Sequence, residues 1–196
     1  MFILTGGIGC GKSVVSQVLR VMGYTVYDCD SEARRLMHSD PDLRAALCGA
    51  FGQEVYGADG RLNKRYLSDI IFADPEQLKR VNALVHPAVA ADVLRAEREL
   101  KAVQDGPLFV ETAIYYEAGF GSLITPEQVW CVAAPLELRI ARAMWRDHAP
   151  REAILARIDS QLAQEEKVAR ADAVIWNDAQ HSVIEQVNEL IATNGL

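Results

Sequence analysis

Gly6-Gly7-Ile8-Gly9-Cys10-Gly11-Lys12-Ser13 satisfies the spacing G-x-x-x-x-G-K-[ST]. Glycines at that spacing let the backbone turn successive N–H groups toward one point. A helix starting at the Lys-Ser pair adds partial positive charge, so the segment forms a cradle for nucleotide phosphates. In such a cradle Lys12 reaches the β and γ phosphates and the Ser13 hydroxyl coordinates Mg²⁺. The competing reading is a glycine-rich turn that happens to end in Lys-Ser. A short apolar strand before the loop and an amphipathic helix after it favour the phosphate cradle.

A phosphate-binding loop (P-loop) identifies a triphosphate, not a reaction. The D-x-x-G and N-K-x-D segments of a switch GTPase occur nowhere in the chain, and 196 residues leave little room for the larger module of a motor ATPase. A kinase for a small hydroxyl acceptor fits better. It needs a carboxylate at the hydroxyl, a cationic clamp on the transferring phosphoryl group and a means of excluding water. Asp28 and Asp30 end the strand after the first helix, and carboxyl ends of parallel strands face the ligand crevice. Asp30 is equally suited to starting the next helix beside Ser31. Arg139, Arg142, Arg146 and Arg151 cluster after the fourth strand, with Arg142 and Arg146 at i, i+4 on one helix face. Guanidinium forks match phosphate oxygens. A solvated basic surface paired with Asp147 and Glu152 is the alternative, and the position opposite a P-loop, where small kinases carry a closing lid, favours the clamp.

The elements that must position these groups alternate strand and helix. Phe2 to Leu4, Thr25 to Tyr27, Leu108 to Val110, Val129 to Ala133 and Ala173 to Trp176 read as strands, mostly in continuous apolar runs as a sheet covered on both faces requires. Helices are expected between them each time, which predicts a parallel α/β sheet with right-handed crossovers. Val15, Val18, Leu19 and Met22 give the first helix its apolar stripe, and Gly23 stands where a C-terminal cap belongs. From Ser31 to Val103 the pattern is helical. Asp40-Pro41 and Asp74-Pro75 mark helix starts, and a kink is expected near Pro87. Ser182 to Thr193 forms the last helix.

The chain carries 20 Lys+Arg against 27 Asp+Glu, a net charge of -7. That balance argues against a main function of gripping nucleic acid or an anionic membrane. The 4 cysteines are scattered without a C-x-x-C pair, so neither a disulfide framework nor a thiolate zinc site is expected, and a reducing cytosol fits best. The apolar run at the N-terminus is too short for a signal-peptide core, and no stretch approaches a membrane span. The expectation is a soluble cytoplasmic protein, monomeric or a small homo-oligomer. On the residues alone a kinase for some other nucleoside or nucleotide acceptor stays open. So does a nucleotide-dependent regulatory protein that transfers no phosphate.

The assembled motifs resemble the dephospho-coenzyme A kinase family nearly end to end. The resemblance runs through LTGGIGCGKS, YDCD followed by SEARRL, DGRLNKRYLSDIIFADP with the later LVHP, LRIARAMWRD, Gln161 before EEK, and ADAVIWN. It implies an α/β, three-layer P-loop kinase fold on a five-stranded parallel sheet. Residues 1–29, 102–137 and 171–196 would form the nucleotide-binding core, 30–103 a helical dephospho-CoA-binding insertion, and 138–170 a lid. The implied reaction moves phosphate from MgATP to the ribose 3'-hydroxyl of dephospho-CoA. Implied catalytic residues are Asp30, beside the acceptor hydroxyl, with Lys12 and Arg142. Implied ATP contacts are Gly7, Gly9, Cys10, Gly11, Lys12, Ser13, Val14, Arg142 and Asn177, with Ser13 also serving Mg²⁺. Asp30, Arg65, His86, Glu111 and Glu117 fall on the dephospho-CoA side. Cys10 stands where the family commonly has Ser or Ala, and Val14 where Thr is frequent. VETAIYYEAGF replaces a D-x-P-L-L-F-E run, with Glu111 and Glu117 in its acidic positions.

Overall fold

Five parallel strands form one sheet in the order β2-β3-β1-β4-β5: β1 Phe2–Thr5, β2 Thr25–Asp28, β3 Leu108–Glu111, β4 Gln128–Ala133 and β5 Ala173–Trp176. The computed structural model describes residues 1–117 and 119–196, with side chains at all of these but 72, 73 and 75. β1 is buried at every position and β4 at every position but its first, so both faces of the sheet centre are covered, as their uninterrupted apolar sequences require. Phe2, Phe109 and Trp130 meet across β1, β3 and β4 with ring centroids 5.3 to 5.4 Å apart. Removing each such aromatic from water contributes about 1.5–3 kcal/mol, which helps hold the three central strands together. The register sets Leu4 and Asp28 opposite Glu111, Thr5 opposite Cys131 and Ala133 opposite Trp176. The carboxyl ends of all five strands therefore lie along one edge.

The chain divides into two compact units, Met1–Asp28 with Ala96–Leu196, and Cys29–Arg95. In the first, α1 Lys12–Val21 leaves the loop after β1, and Gly23 ends it at φ 95°. That left-handed conformation favours glycine. The strand β4 leads to α6 Leu136–Asp147, α7 Arg151–Asp159 and α8 Gln164–Arg170, and β5 leads to α9 Val183–Thr193, whose N–H at Glu185 is capped by Ser182. One expected helix is missing. Among the described residues the connection from β3 to β4 holds only the 3-10 turn Phe120–Ser122. Gly119 at φ 66°, Gly121 and Pro126 break that short connection before a full helix can form.

The second unit contains α2 Cys29–Ser39, α3 Pro41–Phe51, α4 Lys64–Ala73 and most of α5 Pro75–Lys101, whose last residues belong to the first unit. Asp40 accepts the Leu43 N–H at 2.8 Å ahead of Pro41, the cap expected of that pair. Asn63 caps α4 on the Tyr66 N–H. The helix α5 is assigned continuously through Pro87. Asp92, buried on α5, is bonded by Arg35 and Arg95. Among the described residues no helix is long and apolar enough to cross a membrane.

Candidate functional site

The loop between β1 and α1 is built for close approach. Gly9 and Gly11 adopt φ 77° and 93°, where a side chain would be strained. A Cβ at Gly7 would collide with the Arg139 guanidinium, at Gly9 with the Arg139 backbone carbonyl, and at Gly11 with the Asn177 side-chain amide. The glycines thus do two things: they set the turn, and they let α6 and the segment after β5 come into contact with it. Gly11 caps α1 with no side-chain hydrogen bond and no acidic residue stands in the first turn. The first N–H groups of α1 are therefore not taken by a capping side chain, and they point with the helix dipole toward an anion. Lys12 Nζ donates to the Gly6 carbonyl at 2.9 Å, which keeps the ammonium over the loop. Ser13 and Val14 are exposed in the same turn.

Side chains from distant segments hold the backbone of this loop. Asn177 Nδ2 donates to the Cys10 carbonyl at 3.0 Å, and the Asn177 N–H continues the sheet ladder to Ala133 O at 2.8 Å. Arg142 bonds both acceptors of Asn177, the backbone O at 3.0 Å and Oδ1 at 3.2 Å. Arg142 and Asn177 therefore meet beside Gly11, although 35 residues separate them. Arg139, only 5% exposed, donates from Nε to Ile8 O, while the Ile8 N–H donates to Gln161 Oε1, both at 3.0 Å. The remaining arginines of this stretch are engaged otherwise. Arg146 and Arg157 both pair with Asp147 and hold its carboxyl well below the usual carboxylate range, the Arg146 hydrogen bond being the largest cause. Arg151 pairs with Glu137.

At the sheet edge Glu111 accepts a 2.5 Å bond from Ser16 Oγ on α1, with Asp28 beside it in register. Ser16 is fully buried, and the charge-assisted bond both satisfies its hydroxyl and orients the carboxylate. The Ser13 hydroxyl and the carboxylates at this edge are oxygen donors only, a chemistry that fits a hard divalent cation such as Mg²⁺. Among the described residues no group of three or more His, Cys, Asp and Glu could hold a metal ion. Cys10 and Cys131 are both fully buried. Burial, with Cys10 second, pushes the Cys131 thiol up to about 12, so it stays protonated.

Glu117 lies near the C-terminal side of β3 but is bonded inward. It pairs with Lys167 Nζ at 2.5 Å and accepts the Leu162 N–H at 2.9 Å, and Lys167 also donates to Ala113 O at 2.7 Å. Lys167 is 0% exposed. Breaking a buried pair leaves one charge uncompensated, at about 3–5 kcal/mol. Glu117→Gln is therefore expected to lower the urea midpoint of unfolding by ~2 M at an m-value of about 2 kcal/mol per M; an unchanged midpoint would show that Lys167 finds another acceptor. Neither Lys167 nor Ser16 was marked by sequence as a partner of these acids. A lysine at a buried helical position and a serine amid Val15 and Leu19 carry no spacing signal.

In the second unit, Asp30 lies in the first turn of α2. Arg65 is 93% exposed on α4, 4.0 Å from Asp69. His86, half-buried on α5, is pushed toward its neutral form by burial.

The family model described as CoaE, dephospho-CoA kinase, matches residues 1–182. A dephospho-CoA kinase of Bacteroides fragilis is 41% identical over 189 residues, 96% of this chain and 90% of its own. A crystal structure of a Thermus thermophilus protein superposes with a TM-score of 0.82 at 35% identity, covering 98% of this chain and 96% of its own. The dephospho-CoA kinase of Campylobacter jejuni superposes with a TM-score of 0.70 at 25% identity, covering 100% and 98%.

Proposed function

The chain belongs to the dephospho-CoA kinase family, and from that premise we propose how its residues divide the phosphorylation of dephospho-CoA. The protein is a transferase of the α/β P-loop kinase fold that carries out the last step of coenzyme A synthesis by nucleotide-dependent phosphoryl transfer. ATP is the donor and the ribose 3'-hydroxyl the acceptor. Its triphosphate lies on the N–H groups of Gly9 to Ser13, with Lys12 at the β and γ phosphates. Mg²⁺, when bound, would neutralise charge on the phosphates; the Ser13 hydroxyl would hold it, and Glu111 falls on the dephospho-CoA side. Arg142 is placed on Asn177 next to Gly11, and its guanidinium stabilises the charge that spreads over the transferring group. Asn177 borders the adenine side of the loop.

Asp30 orients the acceptor 3'-hydroxyl and takes its proton late in transfer. Arg65 and His86 serve dephospho-CoA, Arg65 through its charge and His86 as much by anchoring α5. Residues 30–103 are the acceptor-binding part, and 138–170 the lid that excludes water. The observation that carries this reading is the uncapped start of α1 behind the glycine turn with Lys12 held over it. It is tested by incubating the protein with MgATP and, separately, dephospho-CoA, adenosine, AMP and shikimate, then locating the new phosphate by mass spectrometry and ³¹P NMR. Coenzyme A phosphorylated at the 3'-position is expected. ADP formation without a phosphate ester, or phosphorylation of another acceptor in preference, overturns the assignment.

A further inference from the structure

Ile8 is where the P-loop meets the stretch 138–170, and it is held there on three sides. Its N–H donates to Gln161 Oε1, its carbonyl accepts from Arg139 Nε, and its side chain packs on the buried cluster of Ile140, Ala143 and Ile154 from α6 and α7. Both neighbours are glycines whose missing side chains leave room for Arg139. A loop so rich in glycine has many conformations to lose on binding, and a cradle of N–H groups is tight only if those groups converge before the anion arrives. Ile8 is the one bulky side chain between Gly6 and Gly9, and both of its backbone groups are already satisfied by side chains.

We propose that Gln161 and Arg139 are positioning residues for the nucleotide. They fix the Ile8 peptide groups and so preorganise the N–H groups of Gly9 to Ser13 for a triphosphate. This inference rests on the kinase reading above and says how that site acquires its affinity. Gln161 suits the task because its amide oxygen accepts an N–H without bringing negative charge beside the phosphates, and Arg139 holds the carbonyl with a cation. The two reach the same residue, Arg139 from α6 and Gln161 from the segment just after α7.

The test is Gln161→Met, which keeps side-chain length and removes the acceptor. Isothermal titration with Mg·ADP is expected to show binding weakened roughly three- to tenfold, the worth of one such hydrogen bond. The KM for ATP should rise in parallel while that for dephospho-CoA is unchanged. Amide exchange at Ile8, followed by NMR, should accelerate in Gln161→Met and stay slow in Gln161→Glu, which retains an acceptor oxygen. A merely structural role predicts instead a lower melting temperature with both KM values moved together, and that result overturns the proposal. Equal Mg·ADP affinity in the altered and unaltered proteins overturns it as well. If the unaltered protein binds no Mg·ADP, the kinase reading fails, and the clamp with it.

Discussion

Asp30→Asn is expected to lower kcat by about 10²–10⁴-fold, the usual contribution of a positioned proton acceptor, with the affinity for ATP almost intact. The residue stands two positions along the chain from Asp28, the last residue of β2, in the opening turn of α2. Two roles are compatible with that position. A carboxylate at a helix start interacts with the dipole for about 0.3–1 kcal/mol, and a carboxylate at an acceptor hydroxyl acts only in the reaction. Asparagine separates them by the size of the effect: nearly isosteric but uncharged, it gives up only that small dipole interaction in stability, whereas it cannot accept the proton and so loses the whole catalytic role. The measurement is kcat with saturating dephospho-CoA, alongside Mg·ADP titration and thermal melting. Turnover within a fewfold of the unaltered enzyme would leave Asp30 only its place at the start of α2. A large loss of nucleotide affinity would equally move it out of the acceptor site.

What the sequence disclosed follows from how local each signal is. The five strands, the cap at Asp40, the stop at Gly23 and the last helix depend on residues within a few positions of one another, and they sit where the pattern put them, except that Ser182 caps the last helix rather than opening it. The P-loop is equally local. Its partners are not: Ser16 meets Glu111 across 95 residues, and Asn177 meets Cys10 across 167. No spacing encodes such pairs. The arginine run shows the same limit in a sharper form. Arg139, Arg142, Arg146 and Arg151 look alike in sequence, yet the first is buried against Ile8, the second bonds Asn177, and the last two join surface carboxylates. What distinguishes them is that Gly7, Gly9 and Gly11 lack side chains just where the first two arrive. The missing helix between β3 and β4 has a different origin, since apolar runs reveal strands but not what fills a short connection rich in glycine.

Charge placement makes Lys12 the more exposed test of the mechanism. Outside 30–103 and 138–170, the basic side chains of the chain are Lys12 and Arg20, and Arg20 bonds the Val26 carbonyl at the far end of α1. Within the core, then, the developing charge on a transferring phosphoryl group has one ammonium to meet, assisted by backbone N–H groups and by Arg142 from α6. Lys12→Met is accordingly expected to lower kcat by roughly 10²–10³-fold, the scale seen when one preorganised donor is removed from a developing anion, and to weaken nucleotide binding as well. Stability should barely change. The Lys12 bond that the structure shows runs to the Gly6 carbonyl alone, a contact worth about 1 kcal/mol. Lys12→Arg should rescue little, because a planar guanidinium cannot occupy the space of a compact ammonium above a tight glycine turn. Steady-state kinetics on both variants, with melting curves to confirm folding, decide the matter. If Lys12→Met retains a tenth or more of its turnover, the backbone and Arg142 carry the transition-state charge, and the role assigned to Lys12 is wrong.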